Sequence, residues 1–253
     1  MQPELDIGPL TLQTFGIFLA LGFLASGAVG TRRLKELGLP PDWAYELAFA
    51  ALVGGLIGSR VDYLIQNSND LSGDLLANLL SGSGLVWFGG FVGGAIAVAL
   101  WARWRGFLEA RLLDLAAAPL ALGYAIGRIG CQVSGDGDYG VPSGLPWAMA
   151  YPDGTVPTSD EVHPTPIYET VAMGFAAVVL WQLRDRFRPG ILFGVYLVIA
   201  GSERLLVEFI RRNEEAALGL TLAQLISIAM ILAGTAAIVT LRRPARATVR
   251  AAG

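Results

Sequence analysis

The sequence is poor in charged and reactive side chains. Its 253 residues include one cysteine and one histidine, and 15% of them are charged against 54% hydrophobic. Soluble domains carry about 25% charged residues, so this chain has too little polar surface for a soluble fold. A single cysteine also excludes an intrachain disulfide and a metal site built from several cysteines. The composition therefore predicts an integral membrane protein.

Apolar segments alternate with short polar connections along the whole chain. A membrane-spanning helix needs about 20 mostly apolar residues, and about seven such helices fit here. No polar stretch is long enough for a second soluble domain. The sequence therefore predicts an all-α membrane protein in which residues 1–253 form one domain. The segments lie near 12–30, 46–66, 84–102, 112–131, 165–183, 190–210 and 220–241.

Basic residues are distributed unevenly between the two sides of these segments. Thirteen of the 18 fall in connections on one side and in the C-terminal tail, whereas the opposite connections hold only Arg211 and Arg212. Cytoplasmic loops carry the excess of Lys and Arg. The N-terminus is therefore predicted outside and the C-terminus in the cytoplasm. The thirteen are Arg32, Arg33, Lys35, Arg103, Arg105, Arg111, Arg184, Arg186, Arg188, Arg242, Arg243, Arg246 and Arg250.

The one long exterior connection, residues 132–163, lies between the fourth and fifth segments. It is rich in Gly, Pro and Asp and contains Tyr139, Trp147 and Tyr151. This composition predicts a small ordered cap at the membrane interface rather than a flexible linker.

Arg128 is one of three arginines inside the apolar segments, with Arg60 and Arg204. A charge near hydrocarbon is costly, so an intramembrane ionisable residue indicates a functional site. We expect the Arg128 guanidinium to bind a phosphate through its fork of donors. The neighbouring Gly127 and Gly130 would let a lipid headgroup approach the backbone.

A structural alternative for Arg128 is an interhelical ion pair with Glu169 or Glu208, or an extended side chain that reaches the interface. Arg204 and Glu208 are four residues apart and share a helix face. They are expected to face the interior and to hold a polar ligand or each other. Arg60 is expected to form a polar edge with Tyr63, either as an anchor or as a ligand contact.

The acidic loop 135–140 superficially suggests calcium but lacks the other ligands of an EF-hand. No metal site is predicted there, and Asp136 is expected to face the Arg128 region. His163 stands at a helix entry, where it could be a capping residue or a catalytic one. Cys131 has no basic partner in sequence and is expected to be an inert packing residue.

Four blocks, in this order, resemble signature elements of the bacterial prolipoprotein diacylglyceryl transferases. They extend over most of the chain, and the predicted topology agrees with that family. The blocks are Gly84-Leu85-Val86-Trp87-Phe88-Gly89-Gly90, Gly127-Arg128-Ile129-Gly130 with Gly135-Asp136 and Gly140, His163-Pro164-Thr165-Pro166-Ile167-Tyr168-Glu169, and Glu203-Arg204-Leu205-Leu206-Val207-Glu208-Phe209.

The resemblance implies an enzyme of the bacterial inner membrane. It would move diacylglyceryl from phosphatidylglycerol to the lipobox cysteine of a prolipoprotein signal peptide, forming a thioether and releasing glycerol phosphate. No cofactor, metal or nucleic acid is implied. The implied catalytic residues are Arg128, Arg204, Glu208 and His163, and the implied substrate-binding residues are Arg60, Gly89, Gly90, Asp136, Gly140, Tyr168 and Glu169.

The chain departs from the family pattern at three polar positions. Phe88 stands where a histidine is common, Cys131 where an asparagine is usual, and Phe15 where a tyrosine is usual. The acidic loop is also one residue longer. The thiol proton would then go to His163, a carboxylate or water, or the thiol would ionise beside the arginines. The alternatives are a relative that binds anionic phospholipid or lipoprotein precursors without transfer, and a small-anion transporter.

Overall fold

The computed structural model describes residues 1–8, 10–66 and 87–242. Within these residues the chain forms seven helices, and each predicted apolar segment coincides with one of them. Residues 84–86 of the third segment and the tail residues Arg243, Arg246 and Arg250 lie outside the described residues. The helices are α1 Thr14–Glu36, α2 Trp43–Gln66, α3 Trp87–Trp104, α4 Ala110–Ser134, α5 Thr165–Leu183, α6 Ile191–Glu208 and α7 Leu222–Arg242.

In the described part of the chain, three short antiparallel strand pairs supplement the helices. They satisfy backbone donors and acceptors in connections that no helix covers. The pairs are β1 Glu4–Ile7 with β2 Leu10–Gln13 before α1, β3 Met149–Tyr151 with β4 Thr158–Val162 between α4 and α5, and β5 Glu215–Ala217 with β6 Leu220–Thr221 between α6 and α7.

Among the described residues, five helices are long and apolar enough to cross a membrane: α1, α2, α4, α5 and α7. Of the other two described helices, α6 carries three charged residues, Glu203, Arg204 and Glu208. The chain is therefore a multi-pass membrane protein, as the composition predicts. Charge inside an otherwise apolar helix must be compensated by neighbouring helices.

The described chain divides into two compact units. The smaller, Gly30–Leu112, contains α2 and α3, which approach each other through glycines. A Cβ on Gly58 would lie 2.1 Å from the carbonyl oxygen of Gly89, and one on Gly93 would lie 2.3 Å from that of Gly54. Small residues permit such close helix contacts in lipid, where apolar burial alone gives little driving force.

The larger unit comprises residues 1–29 and the described residues from 113 onward. Its core lies between α4, α5 and α6, where small and large apolar side chains interdigitate. Asp114 of α4 accepts the backbone N–H groups of Gly190 and Phe193 at 2.7 and 2.8 Å. A carboxylate at a helix N-terminus satisfies free donors there and favours the helix dipole, so Asp114 fixes the start of α6. Core residues include Ala117, Ala121, Ala125, Met173, Ala176, Leu180, Leu192 and Ala200.

The predicted cap, residues 132–163, begins in the last turn of α4 and folds from residue 135 onward around the β3–β4 pair. The rings of Tyr139 and Tyr151 stack with centroids 4.8 Å apart. The Tyr151 hydroxyl donates to Gln132 at 2.9 Å, and burial raises the pKa of Tyr151 to about 12. The backbone N–H of Gly140 donates to the His163 carbonyl at 2.8 Å, which joins the two ends of the segment.

Candidate active site

Three arginines and three carboxylates meet where α4, α5 and α6 end or begin. Two of the arginines come from helices that the sequence predicts to be apolar, and the third follows α6. We call this set the arginine cluster. Its members are Arg128, Arg204, Arg211, Asp138, Glu169 and Glu208.

Glu169 is the shared partner of all three arginines, and its side chain is 0% exposed. Its Oε2 lies 3.2 Å from Nε of Arg128 and 3.5 Å from Nη1 of Arg211. Its Oε1 lies 3.1 Å from Nη1 of Arg204 and accepts the Tyr124 hydroxyl at 2.8 Å. Hydrogen bonds between charged groups are stronger than neutral ones, and the absence of water around Glu169 strengthens them further. One carboxylate therefore holds three guanidinium groups together.

Asp138, in the loop after α4, connects two of these arginines from the other side. One carboxylate oxygen contacts Arg128 and the other contacts Arg211. Burial raises the pKa of Asp138, but the Arg128 and Arg211 charges outweigh it and hold that pKa below its usual value. The Thr165 hydroxyl donates to the Asp138 carbonyl. The loop is thus fixed to the first turn of α5.

Glu208 pairs with Arg204 on the same helix, as the spacing predicts, with Nη2 and Oε2 2.8 Å apart. Its other oxygen accepts from the Asn213 amide and the Thr221 hydroxyl, each at 2.7 Å. Glu208 is buried, so water cannot reach its carboxylate oxygens and they need protein donors instead. Arg204 is consequently held between Glu208 and Glu169.

The Arg128 guanidinium also lies over an aromatic ring. Its central carbon is 4.9 Å from the ring centre of Tyr124, a cation–π distance. Its Nη1 is 3.7 Å from the Cys131 sulfur. The ion pair with Glu169, which the sequence left open as a structural alternative, is present. Arg128 is therefore held in place before any ligand arrives.

The two glycines beside Arg128 have different surroundings. A Cβ on Gly130 would lie 2.8 Å from Cβ of Phe18, so that face is filled by α1. A Cβ on Gly127 would have none of the described residues within 4 Å. The expectation that both glycines admit a headgroup is corrected here, because only Gly127 faces open space.

In the acidic loop, the residue that contacts Arg128 is Asp138, whereas the sequence argument placed Asp136 there. Asp136 accepts the backbone N–H of Asp138 at 3.2 Å. The Cys131 thiol and the two aspartates have ligand atoms within 4.8 Å of one another. Both Asp138 oxygens already contact guanidinium groups, so two arginines neutralise that carboxylate in the position where a metal ion would otherwise be needed.

Gly140 lies where the loop meets the chain after α6. A Cβ there would lie 2.4 Å from the Ile210 carbonyl oxygen, so only glycine fits. The Gly140 carbonyl accepts Nε–H of Arg212 at 3.1 Å, and the Arg212 guanidinium lies over the Tyr139 ring. These contacts attach the segment 135–163 beside the arginine cluster.

His163 and Tyr168 are neighbours, with Nδ1 and the hydroxyl oxygen 3.3 Å apart. The Trp147 indole N–H donates to the same hydroxyl at 2.8 Å. Within the described residues, the His163 ring contacts Tyr168 and no member of the arginine cluster. Tyr168 and Trp147 line an open pocket of about 590 Å³ with Pro146, Ala148, Met149, Pro164 and Ile167.

Comparison with known proteins identifies the family. The family model described as prolipoprotein diacylglyceryl transferase matches residues 4–240, which contain the whole arginine cluster. The chain belongs to this family.

Relatives of the family in three organisms are named phosphatidylglycerol–prolipoprotein diacylglyceryl transferase. The one from Clostridium tetani is 31% identical over 92% of this chain and 95% of its own length. The one from Chromohalobacter salexigens is 34% identical over 95% and 94%. The one from Pseudomonas putida is 33% identical over 92% of each. The similarity therefore extends along almost the full chain.

Three predicted substrate-binding residues belong to the smaller unit and are described within it. The Arg60 guanidinium lies 5.7 Å from the ring centre of Tyr63, the polar edge expected from the sequence. The Gly89 N–H donates to Asp62 at 2.9 Å, and a Cβ on Gly90 would lie 3.5 Å from the Gly55 carbonyl oxygen.

Two of the departures from the family pattern, Cys131 and Phe15, have described side chains. Cys131 is buried, and its sulfur lies 3.7 Å from Nη1 of Arg128, a basic neighbour that the sequence argument did not expect. Phe15 of α1 lies next to Gly130. Phe88 is in α3, but its side chain is outside the described part of the structure.

Arg211 and Asp138 are the cluster members that sequence reasoning missed. Both lie in connections that the predicted topology puts outside, yet the Arg211 side chain is only 6% exposed. One signal was available, because Arg211 continues the stripe of Arg204 and Glu208. Tyr124, four residues before Arg128, was detectable by the same helical spacing.

Proposed function

We propose that this chain transfers the diacylglyceryl group of phosphatidylglycerol to the lipobox cysteine of a prolipoprotein and releases glycerol phosphate. The two substrates are taken from the names of its relatives. The single observation that supports the chemistry is the arginine cluster, in which buried carboxylates fix three guanidinium groups. A phosphodiester is anionic, and arginine recognises it through paired donors.

The reaction is a displacement at carbon. The cysteine thiolate attacks the terminal carbon of the diacylglyceryl group, which carries the phosphate ester. A carbon–sulfur bond forms, the carbon–oxygen bond breaks, and its electron pair stays on the phosphate oxygen. The leaving glycerol phosphate therefore gains a negative charge. Fixed donors aimed at developing charge are typically the largest catalytic contribution.

Arg128 and Arg204 are the proposed phosphate-binding residues. Arg128 stands beside the open face of Gly127, where a headgroup can approach the helix backbone. Glu169 and Glu208 are proposed to position the two guanidinium groups through the contacts at 2.8 to 3.2 Å. Preorganised groups need not reorganise during the reaction, which is the advantage of holding them with buried carboxylates.

The remaining contacts are proposed from the family resemblance. Gly140 and Asp136 would shape the rim of the site, and Asp136 would act through the loop that holds Asp138. His163 and Tyr168 would contact substrate beside the apolar pocket of Trp147. Arg60, Gly89 and Gly90 are retained as substrate-binding residues of the smaller unit on the same ground.

The proposed topology has seven spans, the N-terminus and the 132–163 cap outside, and the C-terminus in the cytoplasm of a bacterial inner membrane. The asymmetry of basic residues supports it. In a Cys131→Ser background, Ser159→Cys should react with a membrane-impermeant maleimide on intact cells. Arg186→Cys should react only after permeabilisation. The reverse pattern would contradict the orientation.

A second candidate is a relative that binds phosphatidylglycerol without transferring it. The substitutions at Phe88 and Cys131 favour this candidate, because each removes a polar group from a family position. It predicts lipid binding without thioether formation.

Reconstitution with phosphatidylglycerol and a lipobox peptide separates the two. Peptide mass and free glycerol phosphate would be followed for the wild type, Arg128→Ala and Arg204→Ala, with the exposed Arg186→Ala as matched control. A lipidated peptide in the wild type and control, lost in both cluster variants, is the expected result. Bound lipid with no product in the wild type would favour the second candidate and overturn the transferase.

A further inference from the structure

Glu203 of α6 is a carboxylate beside the arginine cluster with no assigned role. It lies on the same helix stripe as Tyr196, Ala200 and Val207, at spacings of seven, three and four residues. Ala200 and Val207 are buried, and Tyr196 packs against the core between α4, α5 and α6. Glu203 is therefore half-buried, at the point where the apolar core meets the cluster.

Its charge has no local partner. Oε1 of Glu203 is buried without a hydrogen bond, and within the described residues no ion pair reaches this side chain. The three arginines are matched by three other carboxylates, so Glu203 is the surplus acid. A buried polar atom without a partner is costly, and more so when it is charged, so its presence calls for a reason.

The ionisable groups near Glu203 come from α4, α5, α6 and the chain that follows α6. They are Arg128 and Tyr124 of α4, Glu169 of α5, Arg204 of its own helix, and Arg211 beyond α6. Arg128 and Arg204 are proposed above to hold the phosphate, and Glu169 is proposed to position them. A carboxylate next to these groups would lie beside the bound phosphate ester.

We propose that Glu203 is the general base that removes the proton from the lipobox cysteine thiol. This role rests on the proposed transferase activity. The thiolate, not the thiol, is the nucleophile, so a proton must leave before or during attack. The other carboxylates of the cluster already pair with arginines, whereas Glu203 makes no ion pair with a described residue and has an oxygen without a hydrogen bond.

The proton and electrons balance within the site. The Glu203 carboxylate takes the thiol proton and becomes a neutral acid. The sulfur lone pair forms the bond to carbon, and the broken carbon–oxygen bond leaves its electrons on the phosphate. The phosphate monoester so formed has a second pKa of about 6, so it can accept the proton from Glu203 and restore the carboxylate.

Glu203→Gln keeps the shape of the side chain and removes the base. General base catalysis contributes about 10²- to 10⁴-fold, so kcat with a cysteine peptide should fall by about that factor. KM for phosphatidylglycerol should stay near the wild-type value. Glu161→Gln, an exposed carboxylate of β4, is the matched control and should keep the wild-type rate.

A selenocysteine peptide provides the decisive comparison, because a selenol is ionised at neutral pH and needs no base. The ratio of wild-type to Glu203→Gln rates should be about 10²-fold or more with cysteine and approach one with selenocysteine. For each variant, the rates with the selenocysteine and cysteine peptides are measured on one preparation. Their ratio therefore does not depend on the fraction of protein that is folded.

Two results would overturn the role of Glu203. One is a wild-type rate in Glu203→Gln with the cysteine peptide. The other is an equal loss with both peptides, which would mean that Glu203 acts only through structure. A wild type that lipidates neither peptide would instead overturn the transferase itself, and the role of Glu203 with it.

Discussion

Glu169 of α5 lies 3.2 Å from Nε of Arg128 on α4, at a position with no exposed surface. A buried ion pair is expensive to desolvate, and removing one partner leaves an uncompensated charge. Here the same carboxylate also pairs with Arg204 and Arg211. The arrangement holds three guanidinium groups in fixed positions, which suits a site whose donors must be in place before a phosphate binds.

Glu169→Gln should destabilise the fold and abolish transfer. Loss of a buried partner costs about 3–5 kcal/mol, and three guanidinium groups lose their common anion. Thermal unfolding in detergent would measure the change, with the exposed Glu161→Gln as control. Unfolding midpoints that match for both variants would show that Glu169 does not hold the cluster.

Arg128→Lys should behave almost like Arg128→Ala in the transfer assay. Lysine keeps the charge but cannot present paired donors to a phosphate, and loss of one such donor costs about 10²- to 10³-fold in rate. Initial rates of glycerol phosphate release would test this. If lysine restored most of the wild-type rate, charge alone would suffice and the fork would be unnecessary.

Gly127→Ala and Gly130→Ala should affect different properties. Alanine at 130 would overlap Phe18 and destabilise the fold by about 1–3 kcal/mol. Alanine at 127 meets open space, so stability should be unchanged or raised by up to about 1 kcal/mol. Its methyl group would nonetheless obstruct the headgroup and lower the transfer rate.

The two glycine variants would be compared by unfolding midpoint and by rate per folded protein. A rate at wild-type level in Gly127→Ala would show that lipid does not approach this face.

Asp138 should make the stability pH-dependent. Its folded pKa lies below the unfolded value of about 3.9, because Arg128 and Arg211 outweigh burial. Its contribution is therefore complete above about pH 4 and is lost as the pH falls through the folded pKa. The wild type should unfold at a higher temperature than Asp138→Asn at about pH 6, and this gap should shrink towards about pH 3. A constant gap would mean that the ion pairs contribute no stability.

The sequence predicts the helices well because lipid leaves few alternatives. Every backbone donor in the hydrocarbon region needs an internal partner, so apolar segments of this length become helices. Arg128, Arg204 and Glu208 were identifiable because charge is conspicuous there. Their pairing followed only partly, since Arg204 with Glu208 obeys local helix spacing whereas Glu169 is brought in by tertiary packing.

The contacts that the sequence could not predict are mostly made by loop residues. Whether Asp136 or Asp138 meets Arg128 depends on a turn whose geometry is set by contacts with Thr165 and Ile210, distant in sequence. Arg211 looks like an ordinary charged loop residue until the loop folds over it. The missing partner of Glu203 is likewise invisible in sequence, because it is a property of the assembled core.

The most direct test of the central claim is the stoichiometry of a single turnover. Excess reconstituted protein would be mixed with phosphatidylglycerol labelled in its terminal glycerol and a lipobox cysteine peptide, and both products would be counted over time. If the arginine cluster binds the leaving phosphate, one glycerol phosphate should form per thioether peptide and at the same rate. Both products should be lost in Arg204→Ala. Glycerol phosphate without thioether, or product formation unchanged in Arg204→Ala, would contradict it.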